Sequence, residues 1–170
     1  MPQFNFDLPE FYQRYVNAVE QDDLIPALIT SGNETLELIR SVQETSGAYA
    51  YAEDKWTIKE VIAHMIDAER VFAYRALWFA RNDKTDLPGF NENDWAVESN
   101  ANSRRLYKIA EEYANVRAAT VDLFSSFSEN MLKRVGTANG LQMSAELLGF
   151  IIVGHETHHR KVLLERYLSN

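Results

Sequence analysis

Apolar side chains recur every three or four residues along four long stretches of this chain, a spacing that calls for packed amphipathic helices. The clearest stretch starts at Thr57, which has capping-box spacing to Glu60, and runs through Val61, Met65, Ala68, Phe72, Ala76 and Phe79. Another covers about 23–43, with Ile25, Leu28, Ile29, Leu36, Ile39 and Val42 as its stripe and Asp22 as its expected N-cap. Pro26 is tolerable there only because it lies near the start, and Ser31-Gly32-Asn33 marks an expected kink. A further stretch, about 102–127, carries Leu106, Ile109, Tyr113, Val116, Thr120, Leu123, Phe124 and Phe127. The last, capped by Ser144 and reaching about Leu168, carries Leu148, Ile152, His155, His159, Val162 and Arg166. A short leading helix over about 9–20 shows Phe11, Tyr15 and Val19 at helical spacing.

No segment reads as a convincing strand. The 170 residues include only seven glycines and four prolines, where average usage gives roughly 20 in total. The expectation is one all-α domain spanning 1–170, a four-helix bundle with a short extra N-terminal helix. Two connections interrupt it. The longer, from about Arg81 to Asn100, contains Pro88-Gly89 and suits either a functional loop or a crossover between helices that are not antiparallel neighbours. The second, Met131 to Gln142, contains Gly136 and the turn pair Asn139-Gly140.

Composition excludes several functions. There is no cysteine, hence no disulfide scaffold, thiolate zinc finger, iron–sulfur cluster or cysteine nucleophile. A net charge of −8 and a pI near 5.0, with no lysine/arginine cluster, argue against nucleic-acid binding. Met1 to Glu10 lacks the basic and apolar regions of a signal peptide, and apolar runs such as Leu147 to Val153 are too short to cross a bilayer. The expected location is the cytoplasm.

Any metal site must therefore use nitrogen and oxygen ligands. Three of the four histidines lie in Gly154-His155-Glu156-Thr157-His158-His159. His155 and His159, four residues apart, share one helix face and fall in the apolar stripe. His158 points about 100° away. The fourth, His64, sits between Val61 and Ala68 on the inward face of its helix. Three inward imidazoles from two helices resemble the way bundle-core metal sites are built, with positions left open for water or substrate. Ordinary core histidines are the bland alternative. The run also contains HExxH, but the third downstream ligand of zinc proteases is not found in the few residues after His159.

In Trp56-Thr57-Ile58-Lys59-Glu60-Val61-Ile62-Ala63-His64, followed by Asp67-Ala68-Glu69-Arg70, the sequence resembles the DinB-like superfamily, also called the YfiT-like metal-dependent hydrolases. Leu87-Pro88-Gly89-Phe90-Asn91-Glu92 and the final Gly154 to Arg160 segment extend the likeness over about Asp23 to the C-terminus. The resemblance implies an up-down-down-up four-helix bundle in which the long connection is the crossover. It also implies a divalent metal, nickel or zinc, on His64, His155 and His159, and a homodimer. Relatives of known chemistry are thiol-dependent transferases or isomerases using bacillithiol, mycothiol or glutathione. One departure is Asn91, where relatives often carry an aspartate; an amide cannot act as a base.

The expected function is thus a metal-dependent transferase in which the ion activates a low-molecular-weight thiol. The two connections would shape the electrophile pocket. Asp67 and Glu69 are candidate acceptors orienting an imidazole, with a solvated helix face as the alternative. Glu156 and His158 are weak candidates for acid–base work, surface positions being as expected, and Asn91 is a third. Hydrolysis by metal-bound water is a close variant. A noncatalytic helical module, with Trp56, Trp78 and Trp95 in a partner surface or in the core, is the rival from another class.

Overall fold

The computed structural model describes residues 4–169. Its helices are α1 (Glu10–Asn17), α2 (Leu24–Ser41), α3 (Ile58–Ala80), α4 (Glu92–Glu98), α5 (Leu106–Ser125), α6 (Glu129–Leu132) and α7 (Ala145–Val162). Two short strands, β1 (Val135–Ala138) and β2 (Leu141–Ser144), pair antiparallel. The four long helices α2, α3, α5 and α7 are the expected bundle.

Contacts between them set its topology. Leu24 meets Gly149, Ser31 meets Glu156, and Thr35 meets Arg160, so α2 and α7 run parallel. Leu24 also lies near Phe124 around Gly149, while Gly32 packs on Arg117, which makes α2 and α5 antiparallel. Trp56 accepts from Tyr167, and His64 lies against His155 and His159, so α3 and α7 are antiparallel. That leaves α3 and α5 parallel, with Arg70 on Glu112 and Glu69 on Arg117. The order is up-down-down-up. Two parallel neighbours need a connection that returns the full length of the bundle, which is why 81–105 is long.

Caps explain where the helices begin. Thr57 and Glu60 close a full capping box on α3, and the Ser144 hydroxyl accepts from Leu147 N at 3.0 Å to start α7. At α2 the expectation fails by one residue: Asp23, not Asp22, is the N-cap, and its side chain makes no capping bond. The helix is unbroken through Ser31-Gly32-Asn33. Gly32 serves packing instead, because a Cβ there would lie 2.7 Å from the Arg117 guanidinium.

The expected absence of strands is corrected. Asn139 and Gly140 both have positive φ, 52° and 73°, the pattern of a two-residue hairpin turn. The flanking residues pair from Val135↔Ser144 to Ala138↔Leu141. Gly136 sits where a Cβ would strike the Phe79 ring at 2.0 Å, so the hairpin lies tight against α3. The crossover is ordered too. Leu87 bridges to Ala138, and α4 follows.

The core has two apolar clusters. One gathers Leu28, Phe72, Phe79, Phe124, Leu148 and Ile152; the other gathers Ile39, Ile62, Ile66, Ile109, Tyr113 and Leu163. Between them lies a layer of buried polar side chains: Ser31 and Thr35 on α2, His64 and Glu69 on α3, Arg117 and Thr120 on α5, His155 and Glu156 on α7. In α1 the buried residues are Tyr12 and Val16, with Val19 beyond it, rather than the Phe11 face; Phe11 is exposed.

Candidate metal centre

The polar layer contains the histidines. His155 and His159 stand one turn apart on α7, and His64 faces them from α3. The ring centroids are 4.9 Å (His64–His155), 4.9 Å (His64–His159) and 4.5 Å (His155–His159) apart, a nearly equilateral triangle. The Nε2 atoms of His64 and His155 approach to 2.9 Å, and one nitrogen from each ring lies within 4.8 Å of the other two. These spacings bracket the roughly 3.3 Å between nitrogens that share a tetrahedral ion at about 2.0–2.1 Å. The donor set fits a divalent ion.

Burial also keeps the imidazoles in the form that a metal takes. It lowers His64 to about 4, against a small upward pull from Glu92. It lowers His159 to about 3, with His64 and His158 adding to the fall, and it drives His155 well below the ordinary range. His158 stays outside the triangle, exposed at the helix surface with its ring 5.6 Å from Tyr15.

The cluster forms the floor of a cleft of about 360 Å³. His64, Ala68, Phe72 and Arg75 make one stripe of α3 along it, and Tyr12 and Tyr15 of α1 close one side. The Tyr15 ring stands edge-on to His155 at 5.4 Å. Gly89, Phe90 and Glu92 of the crossover and Asn139 of the hairpin complete the wall, so both connections shape the pocket. A second cleft of about 320 Å³ also reaches His159, with Trp56, Lys55, Asn93, His158 and Arg166 among its lining. Trp56 and His159 belong to both.

Close packing of α1 on α7 requires Gly154. A Cβ at that position would lie 2.0 Å from the Tyr15 carbonyl oxygen and 2.4 Å from its carbon. Backbone cannot swing aside as a side chain can, so Gly154→Ala is expected to cost about 1–3 kcal/mol and to lift α1 from the cluster. Thermal unfolding together with tryptic cleavage at Arg14 checks this; an unchanged melting temperature and cleavage rate would show that α1 does not need that contact.

The structure moves several expected residues. Asp67 bonds to Arg70 at 3.3 Å at the helix surface, and Glu69 is buried against Arg117, so neither orients an imidazole. The solvated-face alternative is right for Asp67 and wrong for Glu69. Glu156 is not a surface group: it is 2 % exposed and accepts from Ser31 Oγ at 2.6 Å and Arg117 Nη2 at 2.9 Å. Burial pushes its carboxyl up to about 8, with the charge of Glu69 adding to the push. Asn91 caps α4 by accepting from Asn93 N and does not line the cleft. Its neighbour Glu92 does. Sequence reasoning missed Glu92, Arg75 and the α1 tyrosines as site residues. The signals available were a carboxylate one position along from Asn91, and a glycine inside a helix beside the histidines.

A parallel-neighbour helical bundle with three inward imidazoles at the foot of an aromatic cleft defines a class of helical proteins whose facing helices bring together donors that could hold a metal ion. Residues 27–163 match the DinB superfamily, and the chain belongs to it. A Geobacillus thermodenitrificans protein described as "Putative metal-dependent hydrolase" is 28% identical over 113 residues, 64% of this chain and 62% of the relative, so the match spans less than two thirds of that protein. YfiT from Bacillus subtilis, described as a "probable metal-dependent hydrolase with an unusual four-helix bundle topology", superposes with a TM-score of 0.77 at 13% identity. That superposition covers 99% of this chain and 93% of YfiT, and shows the shared fold. Among the described residues no helix is long and apolar enough to cross a membrane.

Proposed function

We propose that this protein is a metal-dependent enzyme that joins a small electrophile to a low-molecular-weight thiol of the bacillithiol, mycothiol or glutathione type, with His64, His155 and His159 holding nickel or zinc. The observation that carries this reading is the convergence of two clefts on His159, one aromatic and one bearing Lys55, His158 and Arg166. Two molecules, one in each cleft, would meet at one centre. When bound, the ion supplies a Lewis acid that lowers the pKa of a coordinated thiol or water, giving the nucleophile that a cysteine-free chain lacks.

The chain's own residues do the positioning. Trp56 packs its ring 4.7 Å from the His64 ring and forms a wall common to both clefts. Tyr15 covers His155 and keeps water from that side. Glu92 places a carboxylate on the aromatic cleft, close enough for its charge to raise Tyr12, Tyr15 and His64, and it can accept a proton as Asn91 cannot.

Hydrolysis is the second reading. It is supported by the descriptions of both relatives and by Glu92, which could take a proton from water. Incubating the metal-loaded protein with an activated ester or an alkyl halide, with and without a panel of cellular thiols, separates the two. Turnover is expected to require a thiol. Equal rates without any thiol would overturn the transfer reading in favour of hydrolysis.

A further inference from the structure

Arg75 stands at the far end of the α3 stripe that begins with His64. The two lie 11 positions apart, three helical turns and roughly 16 Å of axial rise, and on the same face. Arg75 is only 3 % exposed, yet it lines the aromatic cleft. One of its five N–H donors is used by the Pro88 carbonyl at 2.8 Å. The Tyr12 hydroxyl lies beside it, and the guanidinium pulls that phenol down against the raising effect of burial. Its carbon sits 5.9 Å from the Phe72 ring centre. Among the described residues no carboxylate comes within ion-pair distance of it.

A guanidinium stays charged when buried, and a buried cation without a counter-charge is costly. Beyond its bonds to the Pro88 carbonyl and the Tyr12 hydroxyl it keeps further donors of a planar group suited to a carboxylate. Between Arg75 and the histidines the floor is Ala68 and Phe72, both apolar. Among the described residues the only carboxylate lining this cleft is Glu92, whose charge disfavours a dianion. We propose that the cleft takes a monoanionic carboxylic acid on an aromatic or apolar body, with Arg75 binding the carboxylate and the reacting end lying towards the histidines. This rests on the reading of the cleft as the substrate site and adds the substrate's chemical class and its anchor.

The test uses binding rather than turnover, so it stands apart from the thiol experiment. The probes are 3-phenylpropanoate and its neutral amide, titrated by calorimetry into wild type, Arg75→Gln, Arg75→Lys, Glu92→Gln and His155→Ala. The acid is expected to bind wild type roughly 10- to 100-fold more tightly than the amide, the range for a charge-assisted pair. Arg75→Gln should erase that preference, Arg75→Lys should keep part of it, Glu92→Gln should strengthen it, and His155→Ala should leave it. Equal binding of acid and amide by wild type, or no binding of either, overturns the proposal without need of a variant. A preference that survives Arg75→Gln and vanishes in His155→Ala sends the carboxylate to the histidine centre, which overturns the role of Arg75 and leaves the metal-dependent reading standing.

Discussion

His155→Ala is expected to lose its metal while keeping its fold. His155 is the most buried member of the triangle, within 5 Å of both partner rings, and an alanine leaves two imidazoles on different helices. Disturbing a group that merely supports a ligand costs roughly 10–100-fold in affinity; removing the ligand itself should exceed that. Untagged wild type purified without chelator should carry close to one divalent ion per chain by mass spectrometry, and the variant almost none. His64→Ala and His159→Ala should behave alike, because the two helices contribute to one site. His158→Ala is the control: its ring is exposed outside the triangle, so occupancy should be unchanged. Equal, low occupancy in wild type and His155→Ala would sink the metal reading.

The second large effect concerns stability. Arg117 donates from Nε and Nη2 to both oxygens of Glu69, at 2.9 and 2.8 Å, from Nη2 to Glu156, and from Nη1 to the Leu28 carbonyl at 2.8 Å. One guanidinium on α5 thus ties together α2, α3 and α7. Replacing it by methionine strands Glu69 in a site where it is 4 % exposed. Removing one partner of a buried pair costs about 3–5 kcal/mol, which for a chain of this size lowers the melting temperature by roughly 6–20 °C. Adding Glu69→Leu to Arg117→Met should recover much of the loss, since the cost lies in the uncompensated charge rather than in lost packing. A fall below about 2 °C in the single variant would mean that water or rearranged neighbours already solvate the carboxylate.

These two sites also mark what a single sequence reveals. The α3 stripe reads correctly from Val61 to Phe79 because every member is apolar and all are buried. His64, His155 and His159 could be brought together on paper because they fall within such stripes, and the fold does gather them. The α2 face is misjudged. Ile29 is 45 % exposed while Ser31 and Thr35 are buried, because the polar layer needs hydroxyls exactly where an apolar count looks for hydrocarbon. Arg117, Glu69 and Glu156 are invisible for the same reason: charged residues signal surface until a partner on another helix neutralises them, and the partner lies 48 or 39 positions away. The hairpin escapes because Val-Gly-Thr-Ala and Leu-Gln-Met-Ser show no alternation strong enough to announce strands, although their turn does. Arg75 escapes because an arginine near the end of a helix reads as a surface charge, and only the fold shows it buried along the cleft.

The polar layer gives the bundle two oily ends joined across a polar waist. Each end is held by its own hydrocarbon, so the ends are free to loosen at different temperatures, and amides on either side of residues 31–35, 64–69, 117–120 and 155–156 should exchange with solvent as separate units. An ion gripped by α3 and α7 at that level would rivet the halves, making the apoprotein the looser, two-step unfolder and the loaded protein the more cooperative one. The candidate metal centre would then also be the seam along which the molecule comes apart.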